Sequence, residues 1–216
     1  MDWPGIIVGF VLGVFGSLIA SQFWDTMTRP KLSVALDPAP ALGVGFRWFN
    51  LRFSNVGNKQ FGADPRPAWS CTASLSLYSA NGKQMIRSIP ARWTSTPEPL
   101  ITVAFDGHVV KFPELEKMLA GRRIDIYSHE DQLMPLLLKY DKEEACYLFT
   151  NECYNFPPRN VNPDWGFGFG KYIVRVAVHY DRGTESFFFL IHNYGSGMNE
   201  VNITLLPRES VSIQDS

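Results

Sequence analysis

Residues 171–192 read KYIVRVAVHYDRGTESFFFLIH, and this stretch decides the fold class. Residues 171–180 alternate, Asp181-Arg182-Gly183-Thr184 supplies turn formers, and 185–192 returns as a run of β-formers. A side-chain period of two sends successive residues to opposite faces of a strand. The segment therefore predicts a β-hairpin, and residues 200–206 add a last strand before a polar tail, 208–216.

Moving toward the N-terminus, the same signals recur. Residues 31–36 form a first strand, and 45–55 (GFRWFNLRFSN) alternate before the turn sequence Asn55-Val56-Gly57-Asn58. Residues 69–79 lead into Ala80-Asn81-Gly82-Lys83, whose Asn-Gly pair is a strong hairpin signal, and 84–89 return. Residues 101–105 are a short strand candidate. Residues 113–121 (PELEKMLAG) carry a proline at the start, acids in the first turn and a glycine at the end, which predicts a short helix. Residues 122–128 read as a strand and 145–150 as extended, while 130–138 is ambiguous because Pro135 interrupts it. Residues 151–170, rich in Asn, Pro, Gly and aromatics, read as a long connection of the kind that often carries function. About nine strands with regular turns predict two sheets packed face to face, a mainly β sandwich over 31–207 with a short helical insert.

Ahead of that domain, residues 5–24 (GIIVGFVLGVFGSLIASQFW) carry no charge and amount to roughly 30 Å of helix, the thickness of a bilayer's hydrocarbon core. Residues 1–24 are expected to be an uncleaved transmembrane anchor, because the residues before the apolar run lack the positive region of a signal peptide. Residues 25–30 are its juxtamembrane connector. Trp3, Phe23 and Trp24 stand at the two ends, where aromatic rings favour the headgroups. Arg29 and Lys31 follow the span and no basic residue precedes it, which orients the C-terminal domain to the cytoplasm of a single-pass cell-membrane protein. Gly5, Gly9, Gly13, Ser17 and Ser21 recur every four residues and make a small-residue stripe along one helix face. Either the stripe associates with another helix, a second copy included, or it reflects how common glycine is in membrane helices.

Past the span, the chain holds all 20 Lys and Arg and, with Asp2 set aside, 20 of the 21 carboxylates. A neutral domain without a basic stripe argues against nucleic acid as a partner. Cys71, Cys146 and Cys153 cannot all pair with one another, and their spacing fits no zinc motif; buried thiols in a reducing compartment fit better.

Residues 50–57 (Asn50-Leu51-Arg52-Phe53-Ser54-Asn55-Val56-Gly57) and 170–178 (Gly170-Lys171-Tyr172-Ile173-Val174-Arg175-Val176-Ala177-Val178) together resemble the opening and closing hairpins of immunoglobulin-like prokaryotic modules. In those modules the first stretch precedes a strand carrying small residues, here 68–77. The whole layout is similar to uncharacterised prokaryotic membrane-anchored proteins with one such domain. The resemblance implies an immunoglobulin-like β-sandwich and carries no activity with it. The helical insert departs from the plain module.

No catalytic, metal or cofactor signature stands out. His108, His129, His179 and His192 are scattered, although His179 and His192 could face each other across the last hairpin. Asp125, His129, Glu130 and Asp131 form the densest titratable group, which either supports acid–base chemistry or is a solvated turn. Gly166-Phe167-Gly168-Phe169-Gly170 lacks the strand and helix that a phosphate-binding glycine loop requires. Tyr154, Phe156, Trp165, Phe167 and Phe169 are aromatics set among Asn and Gly: they either anchor a partner or ligand or cap the open end of the sandwich. The first functional reading is a non-enzymatic interaction or sensor module at the cytoplasmic membrane face, binding a protein partner through end loops. The second is a ligand-gated membrane effector whose domain binds a nucleotide or sugar, and the third a hydrolase.

Overall fold

The computed structural model describes residues 3–39, 42–57, 64–106, 108–157, 159–211 and 213. Helix α1 (Trp3–Met27) is 25 residues long, about 37 Å at the usual rise per residue. Its described apolar side chains are exposed on every side, among them Phe10, Leu12, Phe15, Ile19 and Trp24. It is the one helix among the described residues long and apolar enough to cross a membrane. The helix runs three residues past the apolar stretch and stops at Thr28, which is buried and whose hydroxyl donates back to the Trp24 carbonyl at 2.9 Å.

After it come β1 (Leu32–Leu36), β2 (Leu42–Gly43) and β3 (Phe46–Asn55), then β4 (Ala68–Ser79) and β5 (Gln84–Pro90). A separate hairpin, β6 (Leu100–Phe105) and β7 (His108–Pro113), leads through α2 (Leu115–Ala120) to β8 (Ile124–Ile126). The chain continues as β9 (Asp131–Tyr140), β10 (Cys146–Leu148), β11 (Gly166–Phe167), β12 (Gly170–Tyr180), β13 (Gly183–Asn193) and β14 (Val201–Leu206). One antiparallel sheet has the order β1-β3-β9-β10-β11, with β2 on β3; the other has β14-β13-β12-β4-β5, with β8 on β4.

The two sheets share one core. Leu51 and Phe53 on β3 and Met134 on β9 meet Leu75 and Leu77 on β4, Val174 and Val176 on β12, and Phe189 and Ile191 on β13 in a single buried cluster. Most of these follow one another at i, i+2, so the pleat turns one face of each strand inward. Phe53 bridges the layers, edge-on to Phe187 of the other sheet at 5.7 Å and to the fully buried Trp93 at 5.3 Å.

The hairpin that decides the class is present in full register, with Tyr180 opposite Gly183 and Asp181 and Arg182 as the turn. The Asn81-Gly82 turn also forms, and Gly82 takes the φ of +82° that an L side chain resists. The short helix is there too, but Pro113 closes β7 and does not open the helix. The ambiguous segment 130–138 belongs to a central strand, β9, between β3 and β10. Pro135 is tolerated because the register steps from Phe49 opposite Leu137 to Asn50 opposite Pro135, leaving Leu136 as an extra residue in a bulge. The freed Leu136 carbonyl accepts the Phe149 amide at 3.2 Å.

Residues 151–170 are not an open loop. They hold two 3-10 turns, Asn151–Asn155 and Pro163–Trp165, plus β11 on the sheet edge. The side chains of Thr150 and Asn162 accept the Glu152 and Asp164 amides and start those turns. Beside this segment Lys139 is fully buried, its ammonium donating to the Glu144 and Gly195 carbonyls and the Asn193 side-chain oxygen.

Candidate functional site

β3 fixes the two ends of the domain. At Asn55 it meets the foot of α1: the Asn55 amide oxygen accepts from Lys31 N, and its Nδ2 donates to the Arg66 and Ile126 carbonyls. Asp25 in the last turn of α1 pairs with Arg66 at 3.1 Å and with Arg182 in the β12–β13 turn, while Arg29 donates to the Arg182 carbonyl. The ten residues of β3 then carry the chain roughly 30 Å away from the helix to Phe46.

At that far end an aromatic cleft opens. Trp48 of β3 stands perpendicular to Phe149 with ring centroids 4.2 Å apart, and Phe149 is followed by Tyr154 at 5.7 Å. Phe46 links Trp48 to Tyr140, and the Arg159 guanidinium lies 4.4 Å over the Tyr140 ring. Two adjoining hollows, of about 380 and 260 Å³, share Trp48, Glu98, Phe149 and Tyr154 as walls. The larger extends under the β6–β7 hairpin to Leu100 and Lys111, and the smaller extends over Asn50, Arg92, Thr94 and Thr96.

The hairpin is the cleft's roof. Its root is tied down by the Glu114 amide donating to the Pro99 carbonyl at 2.9 Å and by Lys117 reaching the Leu100 carbonyl. Leu100, Thr102 and Lys111 share the face turned to the cleft, whereas the paired Ile101–Phe112 and Val103–Val110 lie on the other face and are 38–50% exposed.

Charge in the cleft is uneven. Arg92 is only 5% exposed and is held by Asn151 Oδ1 at 2.7 Å and by the Thr96 and Pro97 carbonyls, all of them neutral acceptors. Its guanidinium sits 5.5 Å from the Tyr154 ring. Burial pushes the Tyr154 hydroxyl above its ordinary pKa, with Arg92 pulling the other way. Arg159 is offset by an ion pair with Glu143. Lys111 and Glu98 are exposed on the rim.

Of the aromatics that the sequence singles out, Tyr154 lines the cleft. Trp165 and Phe167 are core residues, 8% and 3% exposed, and Phe167 packs on Tyr172 at 4.8 Å. Phe156 and Phe169 are exposed. Along α1, Gly13 has open space around it and Ser17 and Ser21 are exposed; Gly5 and Gly9 lie on the same helix.

Of the titratable residues at 125–131, Asp125, His129 and Asp131 enter separate contacts. Asp125 accepts the Ser70 amide at 2.8 Å, Asp131 accepts the Ser54 hydroxyl and pairs with Arg52, and His129 faces Asp64 at the surface. The register places His179 opposite Thr184 and His192 opposite Lys171, so those histidines sit at opposite ends of the hairpin and do not face each other. Cys71, Cys146 and Cys153 are all free and buried, and burial pushes the first two thiols up to about 12. No group of three or more His, Cys, Asp or Glu suited to a metal ion occurs among the described residues.

Trp48, Arg92, Glu98, Lys111 and Phe149 carry no mark in the sequence, since they come from separate segments that meet only in the fold. A signal for the roof does exist: Asp106-Gly107 between two apolar runs is a hairpin dipeptide. Comparison of the chain with family models, curated proteins and solved structures returned no match.

Proposed function

We propose that this chain is a single-pass membrane protein whose β domain is a non-enzymatic recognition module at the cytoplasmic face of a cell membrane, presenting its far end to partners. The observation that carries the reading is α1: a 25-residue helix whose described apolar side chains from Ile7 to Trp24 are unburied by the domain and require lipid or other helices to cover them. Arg29 and Lys31 just beyond the helix support the cytoplasmic side. The ties from Asp25 to Arg66 and Arg182 fasten the helix end to the domain near Asn55, at the other end of β3 from the aromatic cleft, which favours the cleft facing away from the membrane. Holding the domain there raises its concentration for any partner confined to the same membrane.

Strand order supports an immunoglobulin-like sandwich. β1-β3-β9 against β13-β12-β4-β5 corresponds to A-B-E against G-F-C-C′, with β10 on the free edge of β9 where strand D would lie. The hairpin, α2 and β8 occupy the connection that would supply that strand. The structural contacts of Asp125 and Asp131 support a module without hydrolytic chemistry.

The test is alkaline extraction of membranes from cells making the full chain, followed by protease treatment of right-side-out and inverted vesicles. The chain is expected to stay in the pellet with the domain digested only from the cytoplasmic side. Release by alkali of a chain lacking its first residues would refute the anchor; digestion from the outer side would refute the orientation.

A further inference from the structure

We infer that the aromatic cleft beneath the β6–β7 hairpin binds a small ring compound bearing an anionic group. The location rests on the far end being the recognition surface, whereas the ligand chemistry rests on the cleft alone. Three observations converge on it.

First, the walls are rings: Trp48, Phe149 and Tyr154 line both hollows, and Phe46 and Tyr140 the larger one. Such walls favour a flat base or the C–H face of a sugar, and hollows of about 380 and 260 Å³ suit a small molecule. Second, polar groups converge beside them. Asn50, Thr94 and Thr96 edge the smaller hollow and Asn160 the larger, giving neutral donors and acceptors that orient a ligand.

Third, the charge balance asks for an anion. Arg92, Lys111 and Arg159 line the hollows against one carboxylate, Glu98. Arg159 is neutralised by Glu143, but Arg92 is buried with neutral acceptors only. Lys139 is likewise buried on neutral acceptors, but Arg92 borders an open hollow, where an anion can reach it and offset its charge, with Lys111 on the rim of the adjoining hollow as a second cation. A cationic ligand would meet the Arg92 field instead.

The experiment is calorimetric titration of the full chain in detergent micelles with two anionic ring probes, adenosine 5′-monophosphate and glucose 6-phosphate, and with neutral adenosine and glucose. At least one anionic probe is expected to bind tenfold or more tightly than its neutral counterpart, and the pair that responds tells a flat ring from a sugar. Lys111→Glu, an exposed change on the hairpin that should leave the fold intact by circular dichroism, is expected to weaken that binding at least tenfold. Failure of all four probes to bind, equal binding of neutral and anionic members, or unchanged affinity in folded Lys111→Glu would each overturn the inference. None of those outcomes bears on membrane extraction, so the anchor and the ligand fail separately.

Discussion

Phe167 and Phe169 are two residues apart, similar in sequence context and opposite in environment, which makes their truncation a sharp test of what the 151–170 segment does. Phe167 is 3% exposed and packs on Tyr172; Phe169 is 51% exposed. At ~25 cal/mol per Å², burying a Phe of about 200 Å² is worth ~5 kcal/mol. That is an upper figure, because the unfolded chain already hides part of the area, and about 3–4 kcal/mol is expected for Phe167→Ala. With a urea dependence of about 2 kcal/mol per M, the unfolding midpoint should fall by roughly 1.5–2 M. Phe169→Ala should cost less than ~1 kcal/mol and move the midpoint by under ~0.5 M. The assay is urea unfolding of the full chain in micelles, followed by tryptophan fluorescence. Equal shifts, or a larger loss for Phe169→Ala, would refute the assignment of Phe167 to the core and of Phe169 to the surface.

Asn55→Ala removes one buried amide that serves Lys31, Arg66 and Ile126, and should cost about 2–3 kcal/mol in a denaturant titration, since the partners it strands are partly dehydrated. Asp25→Asn breaks the ion pairs to Arg66 and Arg182; the Arg66 amide, bonded to the Thr28 carbonyl at 2.9 Å, should then exchange with solvent faster while β12 amides do not change. The pH dependence follows from the buried thiols. Cys71 and Cys146 hold their protons up to about 12 in the fold against an ordinary 9.0. Their contribution is therefore complete below pH 9 and is lost progressively as pH rises toward 12, because only the unfolded chain releases those protons. Melting temperature should fall as pH rises from about 9 toward 12, and less steeply in Cys146→Ala; a flat profile in the parent protein would count against thiol burial.

Local sequence carried the parts of this protein that local physics controls. Alternation over 171–192 determined a hairpin because one side of a half-buried strand must be apolar, and Asn81-Gly82 determined a turn because glycine accepts positive φ there. An uncharged run from 5 to 24 determined a long apolar helix, and Pro30, which disfavours helical backbone at Arg29, marks its stop soon after Met27. Tertiary structure decided the rest. Pro135 became part of a central strand only because a bulge opposite Phe49 and Asn50 removed the need for its missing donor. Phe167, indistinguishable in sequence from Phe169, went inward where β11 paired with β10, and Trp165 is buried at the end of the 3-10 turn just before it. The cleft was invisible for the same reason: Trp48, Arg92, Glu98, Lys111, Phe149 and Tyr154 are separated along the chain and become neighbours through strand pairing. Periodicity records which face of an element is apolar, but which element covers that face depends on long-range contacts that no short window of sequence contains.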